Sequence, residues 1–423
     1  MNLIQPNGLI LRVICLLACM SLTARPHVSW SRDDNQQELK LNWKAVKKLV
    51  AVHPALEGAT HNINAANGMV LTAGTGENPE LEGTVGYGMA RDGDEKRVEW
   101  GVSLSIPLDW IARRSARRDA AMAGLKTAEQ EKIALQRDIV LELRVLFLEL
   151  LFNQERVRVF ETLARETGRL SEMVASRVQN GESRNVEAVQ MRVEAEKISA
   201  DLVLARAALQ ISRDRLGVWL AGKPGTAIVA EGDIAALPTV PSLDNRHIES
   251  TIAQHPAYRV AEAEIAGAAA SATREEKEKI PDIAISPFFD SELDRRAVGV
   301  GVSVSLPLMN RNRGSIEAAY SRYKSKQASL ETVKRELHAT LLEYRTSCTA
   351  ARNVAALYQN VILPDAETAA NTIRRTYELG EATLFEAISA TRMRIEVQLQ
   401  LVDALESAQQ SCIRFNDAAG KEL

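Results

Sequence analysis

Gly101-Val-Ser-Leu-Ser-Ile-Pro-Leu108 returns two hundred residues later as Gly301-Val-Ser-Val-Ser-Leu-Pro-Leu308. A near-identical octapeptide at a fixed offset marks an internal repeat. The flanking landmarks keep that offset within two residues: His53-Pro54-Ala55 answers His255-Pro256-Ala257, Asn180-Gly181-Glu182 answers Leu379-Gly380-Glu381, and Glu187-Ala188 answers Glu386-Ala387. The chain therefore reads as one unit written twice, a first repeat over 25–221 and a second over 246–423. Between them runs a connector, 222–245, in which Pro224, Pro238 and Pro241 interrupt any helix.

Working outward from the octapeptide, the hydrophobic period changes. Val98, Trp100, Val102, Leu104 and Ile106 alternate with Glu99, Gly101, Ser103 and Ser105, and Val298, Val300, Val302, Val304 and Leu306 alternate with Gly299, Gly301, Ser303 and Ser305. Period two with one greasy and one small polar face predicts strands over about 97–107 and 297–307. Weaker alternation upstream (Val85, Tyr87, Met89; Ile283, Ile285, Phe289) supplies partners over about 81–90 and 282–289. After Pro107 and Pro307 the period becomes helical. Leu337, Leu341, Tyr344, Cys348, Ala351, Ala355, Tyr358 and Ile362 alternate spacings of four and three, as do Ile139, Leu143, Leu146 and Leu150. Two rods follow, about 112–178 and 312–378, each roughly 100 Å long at about 1.5 Å per residue. Gly181 and Gly380 turn the chain, and helices return over about 184–220 and 383–414. Pro364 is expected to bend the second rod. The fold class is mainly α with membrane β: a duplicated β-hairpin plus long antiparallel coiled-coil hairpin.

Composition narrows the function. Lys+Arg number 52 against 55 Asp+Glu, a net charge of −3 that gives no general pull toward nucleic acid. No stretch beyond the first 24 residues approaches the roughly 18 apolar residues of a spanning helix, which excludes a helical transporter and leaves a β-barrel open. Six histidines and four cysteines, two of these by residue 19, offer little for a metal centre, cofactor or redox motif, and no nucleophile–base pair or phosphate loop stands out. The expectation is no enzyme, no cofactor and no resident metal. Residues 13–24, VICLLACMSLTA, have the layout of a secretory signal. Cleavage after Ala24 is preferred to lipidation at Cys19, because only six residues separate Arg12 from Cys19 where an apolar core usually has about 7 to 15. The bland alternative is a buried helix of the mature fold.

Four strands with a lipid-compatible face leave open edges in hydrocarbon, so the chain must oligomerise to close a barrel. At this point it resembles the TolC family of outer-membrane efflux proteins. The resemblance rests on the duplication and the Gly-Val-Ser-x-Ser-x-Pro-Leu strand ends. It rests also on Leu363-Pro364-x-Ala366-Glu367, on Tyr377-x-x-Gly380, and on the connector from Leu216-Gly217 through Gly232-Asp233 to Leu237-Pro238. It implies a homotrimer with twelve strands in outer-membrane lipid and twelve helices in the periplasm, forming a passive duct docked to a periplasmic adaptor and an inner-membrane efflux pump. Asn78-Pro79-Glu80-Leu81 with Trp100 looks most like the metal-cation-efflux branch. The competing reading, from another class, is a periplasmic coiled-coil adaptor or structural protein that never enters a membrane.

The resemblance also implies site residues. Glu187 and Glu386, six residues after the turn glycines, match carboxylates lining a periplasmic pore constriction, and Tyr377 matches a constriction tyrosine. Each has a blander counterpart: Thr383-x-x-Glu386 is a capping box, and a tyrosine at a helix end is often packing. The family's second acidic position is Gln190 in one copy and Ser389 in the other. The turns Asn180, Gly181, Glu182, Ser183 and Leu379, Gly380, Glu381, Ala382 are the expected adaptor-docking surface, being the far end of the tube. Arg113, Arg114, Arg117 and Arg118 follow a strand end and fit either lipid headgroups or a solvated helix face. His53 and His255 each precede proline after a short helix and read as repeated turn positions. Finally, Cys348 lies 32 residues before Gly380 and Cys412 lies 32 after it. An antiparallel hairpin brings them to one height, as a disulfide or as two small buried residues.

Overall fold

The computed structural model describes residues 39–89, 96–109, 111–220, 228–240, 245–292 and 295–421. The signal segment 1–24 with Cys19, and both ends of the connector, lie outside these residues. The first repeat opens with β1 (Leu39–Asn42) and α1 (Trp43–Leu49). Asn42 Oδ1 caps α1 by accepting from the Ala45 N–H at 2.9 Å. A 3-10 turn at Val50–Val52 leads to α2 (Pro54–Gly74), β2 (Glu80–Met89), β3 (Lys96–Leu108), α3 (Ile111–Gln179) and α4 (Asn185–Trp219). β4 (Ile228–Glu231) lies in the connector. The second repeat contains α5 (Asn245–Gln254), α6 (Pro256–Lys277), β5 (Ile283–Ser291), β6 (Arg296–Val304) and α7 (Arg313–Leu357), then a π-turn (Tyr358–Ile362), α8 (Leu363–Glu378) and α9 (Leu384–Ala418).

The second rod is thus not one α-helix. Pro364 has no N–H to reach the carbonyl four residues back, and the Leu363 N–H donates instead to Tyr358 O, five residues back. The seam gives the reason: Tyr358, Ile362, Ala366 and Ala370 follow at intervals of four without the intervening three. One residue is in excess of the heptad, and the wider turn takes it up.

His53 and His255 turn out to start helices. Each Nδ1 accepts from the N–H two residues on, Ala55 at 3.3 Å and Ala257 at 3.2 Å, with proline at the first helical position. The helices they cap, α2 and α6, have 21 and 22 residues, and their role follows from length. α4 and α9 have 35 residues each against 69 in α3, about 52 Å against about 103 Å. The antiparallel coiled coil therefore closes only the half of each rod nearest the turns. α2 and α6 pack against α3 in the other half, with α6 also on α7.

The largest core lies at mid-height. Leu143, Phe147, Leu150 and Phe152 of α3 pack with Leu216 of α4, Val46 of α1 and Leu405 and Ala408 of α9. β1 and β4 pair in parallel, Leu39 opposite Ile228 through Asn42 opposite Glu231, and bury Leu41, Ile228 and Ala230 in the same core. Gln154 pins this patch from α3, donating to Ala230 O at 2.9 Å and accepting from the Ala230 N–H at 2.8 Å. The connector is therefore a structural member of the waist. The arginine of α3 that stacks here, Arg144, lies 4.6 Å from the Trp43 ring.

The remaining strands form one antiparallel sheet in the order β2-β3-β5-β6. At its exit, Arg113 binds Asp282 and Glu278, Arg117 binds Asp109, and Arg114 Nε donates to Gly74 O at 2.5 Å. Arg113 and Arg117 are spent on bracing the strand-to-helix joint, so neither the headgroup reading nor the solvated-face reading holds for them.

Candidate functional site

Two regions carry the arrangement: the sheet and the hairpin tips. Register aligns the apolar residues of the sheet on one face. Val85 lies opposite Trp100, Val102 opposite Phe289, Ile106 opposite Ile285, and Ile285 opposite Val302. The Trp100 and Phe289 rings meet at a tilt, 5.3 Å between centroids. These side chains stay open to their surroundings, with Val85 at 81%, Tyr87 at 82% and Val298 at 80% exposure. An apolar face on this scale needs a non-aqueous or protein neighbour. The opposite face carries Glu82, Thr84, Gly101, Ser103, Ser286, Asp290 and Gly301. Gly299 makes room there for the Phe288 ring, whose Cζ would stand 2.5 Å from a Cβ at that position. Among the described residues β2 and β6 each have one strand neighbour, so both edges of the sheet are open.

At the tips the two turns have one construction. Gly181 (φ 76°) and Gly380 (φ 78°) sit in the left-handed region. The Glu182 N–H reaches Arg177 O at 2.8 Å and the Gly181 N–H reaches Val178 O at 3.1 Å. The Glu381 N–H reaches Thr376 O at 2.9 Å and the Gly380 N–H reaches Tyr377 O at 3.0 Å. This pair of bonds closes a helix end when glycine follows it. Asn180, Gly181, Glu182, Leu379, Gly380 and Glu381 are exposed, and Ser183 and Ala382 are half-buried. Leu379, Phe385 and Val186 add exposed apolar side chains to the same end.

Glu386, Glu187 and Tyr377 differ in their surroundings. Glu386 is exposed and closes a full capping box: its carboxylate accepts from the Thr383 N–H at 2.7 Å and hydroxyl at 2.8 Å, and the Glu386 N–H donates to Thr383 Oγ1 at 3.3 Å. Those two donors, the backbone N–H first, hold its carboxyl below the usual range, so it stays ionised. Glu187 is bound by Arg184 Nε at 3.0 Å. Tyr377 sits at the base of a cavity lined also by Glu166, Arg169, Arg374 and Arg394. It is 5% exposed, packed with Val174, Met191, Leu384 and Ala387, and covered by the Arg177 guanidinium 5.1 Å from its ring. A residue at a core position of the seam is buried by the neighbouring hairpin whatever its polarity, and Tyr377 continues the line of Ala366, Ala370 and Ile373.

Sequence reading missed what joins the hairpins. Arg392 of α9 forms a bidentate ion pair with Glu194 of α4, donating from Nε and Nη2 to its two carboxylate oxygens, Arg394 binds Glu166 of α3, Arg137 Nε meets Asp417 Oδ1 at 2.6 Å, and Arg156 meets both Asp403 and Glu406. Arg392 holds the Glu194 carboxyl below its ordinary range. No local signal identifies such pairs, since charged residues on a helix look alike until the facing helix is known. Among the described residues no cluster of three His, Cys, Asp or Glu could hold a metal ion, and no helix is long and apolar enough to cross a membrane.

A duplicated strand pair and long helical hairpin, with an exposed apolar sheet at one end and twin glycine turns at the other, is the fold of TolC-like channel proteins. Three solved structures share it at low identity: CusC (TM-score 0.77, 16% identity, 93% of this chain and 96% of that one), OprN (0.78, 15%, 90% of each), and VceC of Vibrio cholerae (0.73, 18%, 90% and 96%). The chain belongs to the outer membrane efflux protein family, whose model matches residues 45–222 and 247–421, one segment in each repeat. That membership favours an efflux channel component over the coiled-coil adaptor. Relatives include the cobalt-zinc-cadmium resistance protein CzcC of Cupriavidus metallidurans, 25% identical over 371 residues and 86% of both chains. The nickel-cobalt-cadmium resistance protein NccC of Alcaligenes xylosoxydans xylosoxydans is 23% identical over 299 residues, 70% of this chain and 67% of that one.

Proposed function

We propose that three copies of this chain close a twelve-stranded barrel in the outer membrane, continued by a tube of helices into the periplasm, as the passive duct of a tripartite system that expels divalent metal cations. The observation that carries the reading is the sheet: an unbroken apolar face with both edges open is stable in hydrocarbon only when neighbouring copies pair those edges. The cargo rests on the relatives named for cobalt, zinc, cadmium and nickel resistance. The exposed turns at Asn180–Ser183 and Leu379–Ala382 face a periplasmic adaptor, which in turn meets an inner-membrane pump. Glu386, with Glu187 as its counterpart, supplies negative charge near the narrow end and makes the closed duct prefer cations. In planar bilayers the purified protein should form cation-selective channels, with selectivity weakened in Glu187→Gln/Glu386→Gln. A gene deletion should sensitise cells to cobalt, zinc or cadmium. Unchanged metal tolerance removes the cargo assignment, and recovery in the soluble periplasm removes the duct itself.

A further inference from the structure

Cys348 of α7 and Cys412 of α9 are the only cysteines beyond residue 19. They are 0% and 1% exposed, their Cα atoms are 4.6 Å apart, and the structure joins them as a disulfide. That separation is at the close end of the range a disulfide spans, and shorter than the 8–10 Å usual between helix axes. Ile248 and Ile252 of α5, Leu341 and Phe415 pack around the pair, with Tyr258, Leu337 and Tyr344 at the margin. The ring closed by the bond encloses the π-turn, Pro364 and the Gly380 turn.

We propose that Cys348 and Cys412 are a substrate site for a periplasmic thiol–disulfide oxidase, which bridges them before α5 packs over the α7–α9 seam. The ordering follows from burial, since a protein oxidant must reach one sulfur and neither is open in the folded chain. One thiolate of the pair attacks the oxidase disulfide and gives a mixed disulfide. The second thiolate displaces the oxidase sulfur from it. The chain loses two electrons and two protons as Sγ–Sγ forms, and the oxidase disulfide is reduced to its dithiol. The bond then fixes the register of α7 on α9. The proposal rests on the exported location given above.

The test uses full-length protein from the cell envelope, prepared without reductant. Free thiols are alkylated after denaturation, and a non-reduced digest is read by mass spectrometry. A linked peptide pair containing Cys348 and Cys412 is expected, and free label at both positions in envelope protein from an oxidase-competent host overturns the bridge. Cytosolic recovery in the same fractionation overturns the location instead. Protein from a host lacking the oxidase should carry both thiols free. When folded, it should resist a purified oxidised oxidase and become bridged only after partial unfolding in denaturant. Rapid bridging of the folded form overturns the ordering. Should that protein not accumulate, Cys348→Ala/Cys412→Ala keeps both positions small and apolar. It is expected to assemble but to unfold at lower denaturant than wild type, and equal midpoints overturn the role in fixing register.

Discussion

Arg156→Met isolates what holds the second hairpin to the first. Arg156 Nη2 donates to Glu406 Oε2 at 2.5 Å and Asp403 Oδ1 at 2.6 Å, while Nη1 donates to Asn153 Oδ1 at 2.9 Å. Glu406 is the buried member, 14% exposed against 64% for Asp403. Burial pushes its carboxyl up and Arg156 pulls it back down. Methionine keeps the bulk of the stem and removes the counter-charge, leaving an ionised carboxylate between α3 and α9. Breaking a fully buried pair costs about 3–5 kcal/mol. With Arg156 a quarter exposed, screening reduces this to about 2 kcal/mol, which is roughly a 30-fold change in a local opening equilibrium at about 1.36 kcal/mol per decade. Amide hydrogen exchange across α9 between residues 398 and 410 should accelerate by about that factor at pH 7.5. The sign with pH is fixed: a carboxyl whose folded pKa lies above its unfolded value destabilises the fold when ionised, and that penalty disappears as pH falls through the folded pKa. The variant should therefore approach wild type at pH 5 after correction for intrinsic exchange rates, and Arg156→Met/Glu406→Met should recover most of the protection at pH 7.5. Unchanged exchange at pH 7.5, or a defect as large at pH 5, would refute the reasoning.

Other outcomes follow from single contacts. Phe415→Ala, at a side chain with 0% exposure beside the cysteine pair, should lower unfolding stability by about 3–5 kcal/mol, measured by denaturant titration. Thr383→Ala removes the hydroxyl that accepts from the Glu386 N–H and should destabilise the first turn of α9 by about 1 kcal/mol, seen as faster exchange over 384–390 with the tip of α8 unaffected. Burial, with Arg137 assisting, holds His255 below its usual pKa, so its capping Nδ1 acts above the unfolded value of about 6.5 and is lost as pH falls through the lower folded value. In His255→Asn the acid-dependent fraying of α6 should disappear while the neutral-pH stability stays near wild type, by circular dichroism across pH 4–7.

The duplication, the strand faces and the turn glycines were legible because each depends on local chemistry: alternation for a sheet with two unlike faces, and positive φ for a glycine after a helix. The capping box at Thr383–Glu386 was legible for the same reason. What escaped depends on partners far away in sequence. α2 and α6 are rich in alanine and glycine, and each buries few side chains, only Leu56 in α2, so their hydrophobic contrast is weak until α3 is known to need a companion above α4. β1 and β4 are four residues long and pair across 189 positions, Leu39 with Ile228, too short to show a period. Tyr377 could be read from sequence either as a constriction residue or as packing, and only the facing hairpin shows that its ring is buried. The π-turn was visible in the spacings of four from Tyr358 to Ala370, a departure from the heptad that the presence of Pro364 made easy to read as a simple bend.

That turn works like a vernier between two scales. Above it the packed line of α7 runs through Leu341, Cys348 and Ala355, and below it the line of α8 runs through Ala366, Ala370 and Tyr377. Removing one residue between Tyr358 and Ile362 would leave a plain α-helix in nearly its present phase, with Tyr377 still on the packed side, because the wider turn already takes up the surplus residue. The second hairpin can therefore lose that residue without changing phase, whereas in α3, which runs 69 residues without such a turn, any single deletion rotates everything beyond it by about 100°.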